Sequence, residues 1–112
     1  MNYRAEYERW LDHTEGDVLE ELRQMDETQI EDAFYRDLAF GTGGLRGVIG
    51  AGTNRMNVYV VAKASQGLAN YLGAGASVVI GYDSRIKSDV FAKVAAGVFA
   101  ANGVIVHIWL LG

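Results

Sequence analysis

Apolar positions recur at two different spacings along this chain, and the change from one to the other separates its beginning from its end. Tyr3, Tyr7, Trp10 and Leu11 fall three and four apart, and after a break at Gly16 the set Val18, Leu19, Leu22 and Met25 repeats the pattern. That period lays an apolar stripe along a helix. Thr14-Glu-Gly-Asp and Thr28-Gln-Ile-Glu both have the form of a capping box, in which a hydroxyl accepts from a backbone amide three residues on while the acid reaches back. A third helix is thus predicted to start near Thr28, with Ile30, Ala33, Phe34 and Leu38 on its inner side. Asn57 reads as the N-cap of a fourth helix carrying Val61, Ala64, Leu68, Ala69 and Leu72 on one face, with Gly73 as its left-handed stop.

Beyond Gly73 the pattern becomes continuous. The run from Ser77 to Asp83 reads as a strand covered on both faces, because Val78, Val79 and Ile80 are short, β-branched and unbroken. Ser88 is expected to cap a fifth helix, with Asp89 in its first turn, Val90, Phe91, Val94, Ala95 and Val98 inward and Gly103 at its end. Val104 to Leu111 reads as a second strand. Strand, helix and strand with short connections make a βαβ unit with parallel strands. The expected class is α/β: N-terminal helices followed by βαβ units of a mixed or parallel sheet with flanking helices. Two strands leave free edges, so either Gly44 to Ile49 adds a strand, or further chain or a partner completes the sheet.

Composition narrows the function more than the fold. The 112 residues are half apolar and 21% charged, the balance of a folded domain, or of part of a larger one. There is no cysteine and there are only two histidines, which excludes a disulfide framework or thiolate metal site and leaves no basis for a zinc centre. No apolar run approaches the ~18 residues of a membrane span, and the acidic start is unlike a signal peptide. A cytoplasmic protein with no membrane partner is expected. Charge is unevenly spread: twelve of the fourteen acids lie in residues 1–39 beside four arginines, whereas from Phe40 onward six basic residues face only Asp83 and Asp89. The reading is an acidic helical lead-in over 1–39, with no chemistry of its own and an apolar stripe packed on the domain after it, and an α/β part over 40–112 that suits a small anion. The basic residues are too few and scattered, and lack interleaved aromatics, for nucleic acid.

The concentrated chemistry is in Phe40-Gly-Thr-Gly-Gly-Leu-Arg-Gly-Val-Ile-Gly-Ala-Gly52, six glycines in thirteen residues with Arg46 the single charge. A dinucleotide fingerprint is excluded, because Arg46 stands where its third glycine belongs and the stretch follows a helix, not a strand. A Walker loop is excluded by the missing Gly-Lys-Ser/Thr. Two readings remain open on spacing: a hairpin whose glycines serve turns, or an anion site in which Thr42, Gly43 and Gly44 let backbone approach a phosphate that Arg46 grips with its fork. Gly81-Tyr-Asp-Ser-Arg85 lies at the carboxyl end of the first strand, where open parallel sheets gather ligands; Asp83 and Arg85 either pair with each other or lend Arg85 to an anion. The turn around Arg55 reads as a capped connection, His107 as a packed or edge strand residue, and Trp10 and Trp109 as core or interface anchors. Ser65 and Ser84 have no local histidine, so no serine nucleophile is assigned.

The stretch from Phe34 to Asn57, FYRDLAFGTGGLRGVIGAGTNRMN, followed by a helix and then VVIGYDSR, resembles the beginning of the α-D-phosphohexomutase family, particularly its phosphoglucomutase and phosphopentomutase branch. The resemblance implies an incomplete first domain of a four-domain isomerase that moves a phosphoryl group between two hydroxyls of a hexose or pentose phosphate. It assigns Thr42, Gly43, Gly44 and Arg46 to the loop beside the active site, with Arg46 on phosphate, and gives Asp83 and Arg85 a supporting place near the cleft. The family's Thr-Ala-Ser-His-Asn-Pro phosphoserine loop and its Mg2+-binding Asp-x-Asp-x-Asp loop do not occur in these residues, and there is no proline at all. The expectation is therefore an N-terminal fragment, inactive alone, with no catalytic residue, metal ligand or cofactor of its own; Mg2+, sugar phosphate and the remaining domains belong to the parent enzyme. A stand-alone sugar-phosphate or anion-binding module, or a structural domain self-associating through unpaired strand edges, is the alternative.

Overall fold

The computed structural model describes residues 2–38, 40–41, 44–45, 48–82 and 87–110, with backbone alone at 40, 41, 44, 45 and 82. The chain divides into two compact units, Met1–Val60 and Val61–Gly112.

The first unit is built on three helices, α1 (Tyr3–His13), α2 (Gly16–Arg23) and α3 (Glu27–Phe34). Their inner stripes meet as the periodicity predicts: Tyr7, Trp10, Leu22, Ile30, Ala33 and Phe34 form one buried cluster with Ala51. Phe34 is wholly enclosed and sits edge-on to Tyr7 and Trp10, at ring-centroid distances of 5.8 and 5.5 Å, the arrangement that ring quadrupoles favour. The Tyr7 hydroxyl donates to the Leu22 carbonyl at 2.8 Å, so the polar tip of that ring is satisfied where it is buried. On the outside, the Tyr3 hydroxyl donates to Glu27 Oε1 at 3.0 Å, and this bond to a carboxylate raises the Tyr3 pKa.

The helix starts differ from expectation. Thr14 does not cap α2; its hydroxyl donates back to the Trp10 carbonyl at 2.7 Å and closes α1, while Glu15 holds the α2 N-cap position without a side-chain bond. The box at α3 is Asp26 with Gln29, two residues before Thr28: Asp26 Oδ1 accepts from Gln29 N at 2.8 Å and Gln29 Oε1 accepts from Asp26 N at 2.9 Å. A carboxylate is at least as good a cap as a hydroxyl, and starting at Asp26 gives the helix another half turn. Leu38 lies beyond the end of α3, where its amide donates to the Thr53 carbonyl at 2.9 Å.

Later in the first unit's sequence, β1 (Phe40–Gly41) and β2 (Gly44–Leu45) pair antiparallel, Phe40 opposite Leu45 and Gly41 opposite Gly44. Phe40-Gly41 and Gly44-Leu45 thus pair with each other, and Gly44-Leu45 does not extend the sheet formed further along the chain. α4 (Val58–Leu72) begins in the first unit and runs through the second. Asn57 caps it, with Oδ1 accepting from Val60 N at 2.9 Å, and Gly73 stops it at φ 82°, both as the sequence predicts.

In the second unit β3 (Ser77–Tyr82), α5 (Ser88–Ala101) and β4 (Ile105–Leu110) form the expected βαβ unit, the strands parallel with Val78 opposite Val106 and Ile80 opposite Ile108. Ala69 of α4, Ala95 and Phe99 of α5, and Val104 pack with Val78, Ile80 and Val106. Two details correct the sequence reading. The N-cap of α5 is Lys87, in the left-handed region at φ 66°, with Ser88 already helical. The inward line of α5 is Ala92, Ala95 and Phe99, with Val90 exposed; on α4 it is Val61, Ser65 and Ala69, with Leu68 and Leu72 one row round the helix and exposed. Among the described residues of this unit the helices cover one face of the strands. Val79 is 68% exposed and Trp109 63%, because α4 and α5 both contribute to the single cluster on the Val78–Ile80–Val106 side. An unbroken β-branched run does not say how many layers are present. Among the described residues no helix is long and apolar enough to cross a membrane.

Candidate functional site

Thr42, Gly43, Arg46, Asp83 and Arg85 lie outside the described residues, and Gly44 is described in its backbone alone, as part of β2. What the structure describes is the segment that follows these residues, 48–57, and the groups to which it is bonded. Within it the chain folds back on itself: Met56 N donates to the Val48 carbonyl at 2.8 Å and Gly50 N to the Met56 carbonyl at 3.0 Å, with Ile49 and Met56 bridged. This returning arm carries Thr53, Asn54 and Asn57, all buried, and every one of them is hydrogen-bonded.

The bonds run to both sides of the loop. Asn54 N donates to the Ala33 carbonyl at 2.9 Å and its Nδ2 to the Asp32 carbonyl at 3.2 Å, so the last turn of α3 has partners for carbonyls that a helix end leaves open. Arg36 Nε donates to Asn54 Oδ1 at 3.2 Å, and Thr53 Oγ1 donates to the Arg36 carbonyl at 2.8 Å. Together with the Leu38 amide on the Thr53 carbonyl, these bonds fix the chain entering the loop to the chain leaving it. Glu21, from α2, accepts the Ala51 amide on Oε2 at 2.8 Å. Asn57 Nδ2 donates to the carbonyls of Gly50 and Gly52 at 2.8 and 2.9 Å.

Gly52 itself cannot be anything else. Its φ is 124°, and a Cβ there would lie 2.6 Å from the Ala33 carbonyl oxygen and 2.8 Å from the Ala33 Cβ, so the loop's arm presses its bare backbone onto α3.

Electrostatically the platform is spent on itself. Arg55 pairs with Asp32 and donates to the Asn54 carbonyl at 3.0 Å, which makes the turn around Arg55 the capped connection that its sequence indicates. The lead-in, to which the sequence assigns no chemistry, supplies Glu21 of α2, Asp32 of α3 and Arg36 just beyond α3 to this structure. Neither Glu21 nor the second duty of Asn57 is legible in the sequence: nothing there separates Glu21 from Glu20, and Asn57 announces only a cap. The one usable signal is the density of hydrogen-bonding side chains in Thr53-Asn-Arg-Met-Asn57 directly after a glycine run. His107 is exposed on β4, and Trp109 is open to solvent while Trp10 is core.

Comparison with known proteins gives this arrangement a context. The family described as phosphoglucomutase/phosphomannomutase, alpha/beta/alpha domain I, matches residues 37–110, a span that includes the whole glycine loop and both strands of the parallel sheet. A probable phosphoribomutase of Schizosaccharomyces pombe is 41% identical over 96 residues, covering 80% of this chain and 16% of that protein. A phosphoglucomutase of Staphylococcus aureus (strain MRSA252) is 33% identical over 105 residues, 90% of this chain and 19% of that protein. A phosphoglucomutase of Staphylococcus saprophyticus is 34% identical over 99 residues, 85% of this chain and 18% of that protein. The chain therefore spans less than a fifth of the length of the curated relatives it matches. No solved structure gives a significant match.

Proposed function

This chain belongs to the phosphoglucomutase/phosphomannomutase family through its first α/β/α domain, and from that premise we propose that residues 40–52 form one wall of a phosphosugar cleft, with Arg46 gripping phosphate. The observation that carries the reading is the family match across 37–110, which takes in the loop entire; the bonded platform on which both arms of that loop stand supports it. The relatives are named for moving phosphate on glucose and on ribose, and the substrate proposed here is accordingly a hexose or pentose phosphate.

Phosphoryl transfer leaves a protein little covalent work beyond the nucleophile; most of the catalysis is positioning and stabilisation of charge on the phosphoryl oxygens. Arg46 offers two parallel N–H donors to those oxygens, which a lysine could not. Thr42, Gly43 and Gly44 let main-chain amides come close to the same group. Asp83 and Arg85 support the cleft from the carboxyl end of β3. The serine that accepts the phosphoryl group is not among these residues, since no Ser-His-Asn-Pro loop occurs in them. Among the described residues no group of three acids or histidines converges, and no step here is assigned to the Mg2+ that the family resemblance implies for the parent enzyme. The 112 residues alone are thus one wall without a nucleophile, inactive by themselves.

The test combines turnover with binding. With glucose 1-phosphate, glucose 1,6-bisphosphate and Mg2+ the purified chain should give no glucose 6-phosphate above background. Titration followed by NMR should show glucose 1-phosphate bound with Kd on the order of a millimolar or weaker, and Arg46→Ala should remove the shifts. Turnover would overturn the inactivity; binding indifferent to Arg46→Ala would overturn the assignment of the loop; micromolar affinity would establish the stand-alone binding module instead.

A further inference from the structure

Asn57 stands where a helix cap is needed, and several residue types would serve there. Serine, aspartate, threonine and glycine all cap helices well. What distinguishes this cap is that the same planar amide makes three bonds: Oδ1 accepts from Val60 N at 2.9 Å, and the two hydrogens of Nδ2 go to the Gly50 carbonyl at 2.8 Å and the Gly52 carbonyl at 2.9 Å. The side chain is buried, so each of these bonds is made away from competing water and an unmade one would be costly. Only a short side chain with one acceptor and two donors at one end satisfies the set; aspartate and serine keep the acceptor and lose the paired donors.

We infer that Asn57 is a positioning residue for the phosphate loop, clasping its returning arm at Gly50 and Gly52 to the first turn of α4. The role rests on the reading of residues 40–52 as phosphate-binding. The clasp is in the right place to matter, because Gly50 also donates to the Met56 carbonyl and the intervening Ala51 amide is held by Glu21. Three consecutive residues of the arm, Gly50 to Gly52, are thus tied down shortly after Arg46, and Asn57 holds the outer two. A cap alone would need none of this.

The variants Asn57→Ser and Asn57→Asp separate the two duties, since both keep a capping oxygen and neither has the amide donors; serine also avoids adding charge near an anion. Hydrogen exchange read by NMR should show the Gly50 and Ala51 amides exchanging about tenfold faster or more in both variants, the effect of losing the two amide hydrogen bonds that hold this arm. The amides of the α4 interior, Ala62 to Ala69, should stay as protected as in the parent chain. With inorganic phosphate as probe, affinity should fall in both variants, further in Asn57→Asp because of its added charge, while α4 remains helical by chemical shift. Unchanged exchange at Gly50 and Ala51 overturns the inference, as does faster exchange spread equally through α4, which would make Asn57 a cap and nothing more. Parent chain that ignores phosphate while Asn57→Ser loosens Gly50 and Ala51 would refute the phosphate reading of the loop and uphold the clasp, so the two failures are distinguishable.

Discussion

Gly52→Ala is expected to destabilise the first unit by about 3 kcal/mol or more, and to do so through the backbone. A residue with a side chain held at such a positive φ costs ~1–3 kcal/mol by itself. Here the added methyl also meets an immovable neighbour: the Ala33 carbonyl oxygen at 2.6 Å and the Ala33 Cβ at 2.8 Å, both part of α3. Relief requires the arm to lift off the helix, which breaks the Asn54 amide's bond to the same Ala33 carbonyl and the Asn57 bond to the Gly52 carbonyl. Chemical denaturation should show the loss as a lower midpoint. Gly73→Ala makes the matched control, since φ there is also positive but no atom lies within 4 Å of the added Cβ. If Gly52→Ala is no worse than Gly73→Ala, the close approach of arm to helix is wrong.

Phe34→Ala should cost about 3–5 kcal/mol, the usual range for emptying a fully enclosed aromatic site. The ring is wholly buried and is the one against which Tyr7 and Trp10 both pack. Collapse around the cavity is limited, because Tyr7 is tethered to the Leu22 carbonyl by its hydroxyl and Trp10 is packed against Tyr59 as well. For a domain of this size a loss of that order consumes much of the total stability, so a chain that melts within a few degrees of the original would show that α1 and α3 do not share this core. Phe34→Leu, which leaves a smaller void, should fall between the two.

Periodic elements are legible in the sequence and shared ones are obscure. α1, α3 and α4 follow from apolar spacing because each buries a single stripe, and Asn57, Gly73 and Gly103 mark ends by local chemistry that needs no partner. Asp26 and Thr28 cannot be told apart by residue type, as both precede a suitable partner by three; the helix takes the earlier start. Thr14 departs from its expected role for a related reason: a hydroxyl between two helices can close the first or open the second. Val79 cannot be placed from its neighbours in sequence, since the number of layers over a strand is a property of what packs on it. Of the candidate site, Arg46, Thr42, Gly43, Asp83 and Arg85 lie outside the described residues, and the platform beneath the loop exists only because α2 and α3 reach it. Glu21 lies 30 positions from Ala51, and its partner there is a main-chain amide, which no pattern of side chains encodes.

The two tryptophans differ in a way that has a practical consequence. Trp10 is packed in the core of the first unit and is 7% exposed, whereas Trp109 stands on the open sheet face of the second at 63%. Indole emission shifts to the red in water, so the chain carries a blue-edge reporter for one unit and a red-edge reporter for the other, with acrylamide quenching only the second. Loss of the blue component before or together with the red would tell, without any label, whether the lead-in helices and the parallel strands melt as one cooperative body or as two.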